Sequence, residues 1–369
     1  MILRGLYMLI TDSHKLKTYA SEKRTWQGIP GIERTKNGRI FVTFYSGGIS
    51  EQRGNYALLV KSDDGGKSFS EPIAVSYLGE DARAYDPTLW IDPLGRLWFI
   101  WSVIPDNRVE FAICNDPDAD TLVWEPVRTL GFDIMLNKPT VLKNGDWLFP
   151  CAVWDSKYGN HKTWEPVGHP SGAHVFVSRD KGKTFSLFGT ATGEGRSFDE
   201  HMILERKDGT LAMYLRMKYG VGISKSHDGG NTWTEIRDSD LKGPCSRIHI
   251  RRLRSGRVLL INHYNYTGRN NLTALLSEDD GKSFPYSLLL DERDSVSYPD
   301  VTEGKDGYLY VAYDRERGAQ YRENTDYSNH AREILMAKLT EADIISGTLV
   351  SPESQLKTVV SRLGYRPKP

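Results

Sequence analysis

The chain has little cysteine, no excess of either charge and no long apolar run, and each lack removes a class of protein. Its three cysteines, Cys114, Cys151 and Cys245, form no C-x-x-C pair and have no neighbouring His spacing, so neither a disulfide framework nor a zinc site is expected. They read as buried apolar residues or free thiols, in keeping with a reducing compartment. Lys and Arg number 48 and so do Asp and Glu, so the phosphate-neutralising surplus of a nucleic-acid binder is missing. The longest apolar run, Leu97 to Ile104, is far shorter than the ~20 residues of a membrane span. The N-terminal stretch Met1 to Ile10 is apolar but short, without a basic start or a small-residue cleavage site. A soluble, cytoplasmic protein with no membrane or nucleic-acid partner is therefore expected. Helical periodicity is scarce too, and Thr340 to Ile345 is the one convincing helical stretch.

What the chain does have is glycine (34 residues), aromatics (9 Trp, 19 Tyr, 12 Phe) and an internal repeat. The pattern S-x-D-x-G-x-[ST]-[WF] occurs at Ser62–Phe69, Ser178–Phe185, Ser226–Trp233 and Ser277–Phe284. Such a segment is a hairpin clasp. The Asp accepts backbone N–H groups of a tight turn, the Gly takes positive φ, and the hydroxyl and aromatic residues fasten the turn down. From Ser62 the steps are 116, 48 and 51 residues, and a degenerate copy at Asn115 to Trp124 falls in the long gap. In phase with the clasps, a turn glycine precedes a β-branched or aromatic run at Gly38, Gly95, Gly145, Gly209, Gly256 and Gly307. Six units of ~50 residues, each of about four strands, specify an all-β, six-bladed β-propeller. One domain over 1–369 is expected, with Lys15 to Tyr19 and the tail strand Leu356 to Val360 sharing closure of the ring.

The clasps belong on the outer edge, so chemistry should come from loops and inner strands near the axis. Four motifs stand out there: Phe198-Asp199-Glu200-His201 with the strand ending at Arg216, Gly268-Arg269-Asn270, Ser297-Tyr298-Pro299-Asp300, and Arg83-Ala84-Tyr85-Asp86-Pro87. Asn137 and Lys138 enter the third blade before Pro139, and Arg247 belongs to a basic run that strand alternation splits between two faces. Alternation also sends His201 away from Glu200 or makes it a further binding group. No metal-ligating cluster and no cofactor motif is visible.

The clasps resemble the Asp-boxes, or BNR repeats, of the sialidase (neuraminidase) superfamily, and the motifs follow that family's order over roughly residues 25 to 315. The resemblance implies Glu200 as base, Tyr298 as nucleophile, and Arg216 and Arg269 as grips for a substrate carboxylate. The chemistry is coherent, because an anionic sugar repels a carboxylate nucleophile, whereas a neutral Tyr hydroxyl deprotonated by Glu does not carry that penalty. The family's first arginine precedes an Ile-Pro, and Gly28 stands at its place before Ile29-Pro30. Arg53, Arg83 or Arg247 is expected to make up the loss, and Glu51 or Asp86 to act as the acid. The resulting expectation is an exo-acting glycoside hydrolase that releases a terminal acidic sugar from an oligosaccharide or glycoside. A propeller lyase acting on uronates and a non-catalytic carbohydrate-binding propeller are the alternatives.

Overall fold

The computed structural model describes residues 9–154, 169–317 and 332–363, and Met1 to Met8 of the apolar N-terminal stretch lie outside them. Six antiparallel four-stranded sheets follow one another along the chain. Their innermost strands are Trp26–Arg34, Arg83–Ile91, Thr140–Val141, Arg196–Glu205, His249–Arg252 and Val296–Glu303. Each sheet continues outward in sequence order, as in blade one through Ile40–Gly47, Tyr56–Ser62 and Ala74–Ser76. The protein is a six-bladed β-propeller.

Six apolar clusters hold the blades, one between each pair of neighbours. Phe41, Leu59, Leu89 and Phe99 join blades one and two. Leu259, Leu276, Val301 and Leu335 do the same for blades five and six. Both faces of each twisted sheet are thus buried, which is why the strands read as near-continuous apolar runs rather than strict alternation. The ring closes through packing. Blade six takes its outer strand, Gln355–Arg362, from the tail, and among the described residues no sheet mixes the two ends of the chain. Leu16 and Tyr19 of the N-terminal segment pack with Val360, Tyr56 and Tyr310, between blades six and one. Gln27 Nε2 adds hydrogen bonds to the Ser361 and Arg332 carbonyls.

The clasps join third to fourth strands on the outer rim. In the first, Ser62 Oγ donates to Asp64 Oδ1 at 2.7 Å, the N–H groups of Lys67 and Ser68 donate to the same oxygen at 3.0 Å, and Ser68 Oγ donates to Asp64 Oδ2 at 2.6 Å. Asp180, Asp228 and Asp279 repeat this arrangement. Each clasp aromatic packs against an interblade cluster, as Phe185 and Trp233 do. In blade six the clasp is replaced by the helix Glu341–Ser346, capped by Thr340 and ended by Gly347 at φ 70°. This helix links the last two strands of blade six rather than leading to a separate tail.

The axis is filled by a buried polar layer. Asp300 Oδ2 accepts from Lys138 Nζ at 3.0 Å and from the Ile32 N–H at 2.8 Å, while His249 Nδ1 and Arg247 Nη2 lie 3.1 and 3.5 Å from its Oδ1. Lys138 Nζ also bonds the Ile32 and Leu89 carbonyls and Glu33. Burial opposes ionisation of Asp300, but Lys138, His249 and Arg247 hold its carboxyl well below the usual aspartate range. Burial likewise pushes His249 down to about 4, so it is neutral near pH 7. Among the described residues no helix is long and apolar enough to cross a membrane.

Candidate active site

Above this layer, four inner strands share one local distortion. Each carries a β-bulge and a residue of positive φ at the same level: Ile29 (58°), Asp86 (46°), Asp199 and Glu200 (56° and 42°), and Tyr298 (56°). Such backbone costs of order 1–3 kcal/mol per residue and persists only where the surroundings over-determine it. Here they do. Asp314 Oδ2 accepts the Ile29 N–H at 2.8 Å, and Asn137 Nδ2 donates to the carbonyls of Glu200 at 2.7 Å and His201 at 3.1 Å. In three of the four strands proline follows the distorted residue. Proline is tolerated inside these sheets because it sits at a bulge.

The bulges bring distant residues together. Tyr298 Oη donates to Glu200 Oε1 at 3.1 Å, and Arg216 Nη1 bonds both, at 3.0 Å to Tyr298 Oη and 2.9 Å to Glu200 Oε1. Arg269 is half-buried, with its guanidinium carbon 5.4 Å from the Tyr298 ring centroid and Nη2 on the Cys245 carbonyl. Trp26, Tyr45, Tyr85, Ile134 and Leu136 wall the cluster with apolar surface. Burial raises the Tyr298 phenol above its ordinary value and Glu200 raises it further, while three arginines oppose both, so the hydroxyl is protonated at neutral pH.

Asp86 belongs to the same electrostatic cluster. Burial pushes its carboxyl up to about 7; Arg83 opposes this, and Glu51 and Glu200 reinforce it. Its Oδ1, like Glu200 Oε2, is buried without a hydrogen-bond partner. Buried oxygens in that state are costly in a scaffold and useful toward a ligand.

Several expected groups lie elsewhere. Arg247 is fully buried, with Nε on Asn137 Oδ1 at 2.7 Å and Nη1 on the Pro30 carbonyl, so it supports the floor and does not reach the cluster's open side. Lys138 is spent on the axial layer, and Asn137 braces the Glu200 backbone, so neither offers a donor to a ligand. His201 turns away, its Nε2 on the His174 carbonyl at 2.8 Å, and burial lowers it to about 3. Arg53 donates to the Asp81 carbonyl at 2.7 Å. Glu51 is taken up between two guanidinium groups, Arg83 at 3.1 Å and Arg317 at 3.0 Å, and Arg83 also donates to Tyr45 Oη. The third guanidinium beside Tyr298 is that of Arg317, 4.6 Å from the ring centroid, and not Arg53, Arg83 or Arg247.

Sequence reasoning missed Arg317 because it sits in no motif, just beyond the strand Leu309–Arg315. The available signal was indirect: Gly28 leaves a volume unfilled, and in a closed ring of six the neighbour able to fill it is blade six. At the opposite mouth of the channel a cavity of about 810 Å³ is lined by Arg34, Lys138, His249 and Arg251 among others, and neither Tyr298 nor Glu200 borders it.

Residues 119–311 match the family model described as a BNR repeat-like domain. A sialidase of Bacteroides fragilis is 25% identical over 323 residues, covering 73% of this chain and 56% of the relative, so the chain spans little more than half that protein's length. Among solved structures, a protein of unknown function from Dyadobacter fermentans superposes with a TM-score of 0.62 at 20% identity, over 82% of this chain and 93% of that one. A Hadza microbial sialidase gives 0.63 at 20% identity, over 79% and 64%. The leech intramolecular trans-sialidase gives 0.67 at 12% identity, over 89% and 70%. At these identities the likeness to solved structures is one of fold. With the family match over more than half its length and clasps in four of the six blades, the chain belongs to the BNR repeat-like domain family, as a divergent member of the sialidase superfamily.

Proposed function

We propose that the chain is a single-domain glycoside hydrolase that releases a terminal acidic sugar, a sialic acid or a related carboxylated sugar, with retention of anomeric configuration. The observation that carries this reading is the hydrogen bond of 3.1 Å from Tyr298 Oη to Glu200 Oε1, with Arg216 on both atoms. Glu200 takes the phenolic proton as Tyr298 Oη bonds to the anomeric carbon, and the glycosidic C–O bond breaks. Arg216 stays on the phenolic oxygen throughout and offsets the charge that develops there. Asp86 delivers a proton to the leaving oxygen, a role that suits a carboxyl held near 7 with one oxygen unpartnered. Water then releases the sugar by the reverse proton transfers.

The direct test is to incubate the protein with chromogenic sialosides and uronides and follow the released sugar by NMR. The expected result is the retained anomer of an acidic sugar. Cleavage of neutral glycosides alone, an unsaturated uronyl product, or binding without turnover would each contradict the reading, the last two in favour of a lyase and a binding module respectively.

A further inference from the structure

We infer that Arg317 grips the anionic group of the ligand, reaching it through the space that the bare Cα of Gly28 leaves open. The inference rests on the acidic-sugar reading above and deepens it.

The steric argument comes first. A Cβ placed on Gly28 would lie 2.2 Å from Arg317 Cδ and 2.5 Å from Cγ, and 3.2 Å from Asp314 Oδ2. Those distances are far inside van der Waals contact, so the smallest side chain at position 28 would push Arg317 off its path. The arginine missing from blade one and the arginine present in blade six compete for one volume.

The second argument is where that path ends. The guanidinium lies against the Tyr298 ring, with Nη1 3.0 Å from Glu51 Oε1 and Nε 3.4 Å from Asp314 Oδ2. Arg216 reaches the hydroxyl of the same tyrosine, and Arg269 lies 5.4 Å from its ring centroid. Three guanidinium groups therefore surround one phenol. Burial pushes the Asp314 carboxyl up from the usual aspartate range, and Arg317 opposes it. A planar fork of N–H donors, partly exposed beside the reacting oxygen, suits a carboxylate on or next to the reacting carbon. The ligand's carboxylate would then be turned toward blade six.

The test measures binding by calorimetry, using N-acetylneuraminic acid, glucuronic acid and their methyl esters, with no turnover required. The wild type should prefer one of the acids to its ester. Arg317→Ala should lose roughly 10–100-fold in affinity for that acid, the value of one charge-assisted contact, and little for the ester. Gly28→Ala keeps the arginine but displaces it, and should lose a similar factor. Gly28→Arg combined with Arg317→Ala should regain part of the loss, because the exchanged arginine enters the same volume. Should a Gly28 variant fold poorly, the Arg317→Ala arm stands alone. An acid preference unchanged in Arg317→Ala overturns this inference and leaves the proposed function in place. A wild type that does not distinguish acid from ester overturns both.

Discussion

Two layers of buried charge lie on one axis and are built to different rules. In the lower layer Lys138 meets Glu33, Asp300 and two carbonyls, and Asp300 meets Lys138, Arg247, His249 and the Ile32 N–H. Every ionised group there is matched by protein. In the upper layer Glu200 Oε2 and Asp86 Oδ1 are left over, four strands are bulged, and an arginine lies across the space above a glycine. The same residue types thus serve two ends. Matched charges tie blades one, two, three, five and six together at the centre, whereas the upper layer leaves two carboxylate oxygens unpartnered, as the proposed site requires. A list of charged residues near the axis could not separate the two, since the distinction lies in which carboxylate oxygens remain unpartnered.

The contrast predicts that the upper layer fails in turnover and the lower in stability. Tyr298→Phe, which removes the proposed nucleophile, should lower kcat/KM on an acidic glycoside by at least ~10²–10⁴-fold, with its urea midpoint close to wild type. Equal loss of stability would erase the contrast. Lys138→Met, which leaves Glu33 without its cation and Asp300 with Arg247 alone, should cost about 3–5 kcal/mol in urea denaturation, since breaking a buried pair leaves an uncompensated charge. The folded fraction should keep its specific activity.

The pH dependence sharpens the comparison. Asp86 is held near 7 against 3.8 for an ordinary aspartate, so the folded protein binds that proton more tightly than the unfolded chain does. Its contribution is fully present below about pH 4 and is lost as pH rises through 7. Asp86→Asn should therefore gain stability relative to wild type as pH climbs from 4 to 7, and level off above. Asp133 is also pushed up to about 7 by burial, so the two proteins are compared at each pH. The same variant should lose the alkaline limb near pH 7 from its residual kcat/KM profile. A stability difference that does not change with pH would remove Asp86 as a buried acid. The smallest effect is expected at the rim: Asp180→Ala removes a turn anchor far from the axis and should lower the melting temperature slightly, with unchanged activity per folded molecule.

Much of the fold was legible in the sequence because clasps and turn glycines are local signals, each readable within eight residues. For the ring closure the sequence named the two segments, Lys15 to Tyr19 and Leu356 to Val360, but not how they meet, since that depends on packing between Leu16, Tyr19 and Val360 rather than on any pattern. Ordered motifs named Glu200, Arg216, Arg269 and Tyr298 as candidates, and the structure brings all four around one hydroxyl. Asp86 had a signal in its Asp-Pro, the same X-Pro at a bulge that marks Ile29 and Tyr298. Arg247, Lys138 and Asn137 misled because spacing places a residue near the axis without giving its depth along it. Glu51 misled for another reason: two arginines distant in sequence, Arg83 and Arg317, claim its carboxylate.

The central claim is that Tyr298 is the nucleophile and Glu200 its base. A fluorinated, carboxylated glycosyl fluoride that forms the glycosyl-enzyme quickly and releases it slowly, followed by peptide mapping in a mass spectrometer, tests it most directly. The expected result is one sugar adduct, on the peptide containing Tyr298, absent in Tyr298→Phe and formed more slowly in Glu200→Gln. An adduct on Asp86 or Glu51, or turnover of the acidic glycoside by Tyr298→Phe at the wild-type rate, would contradict it.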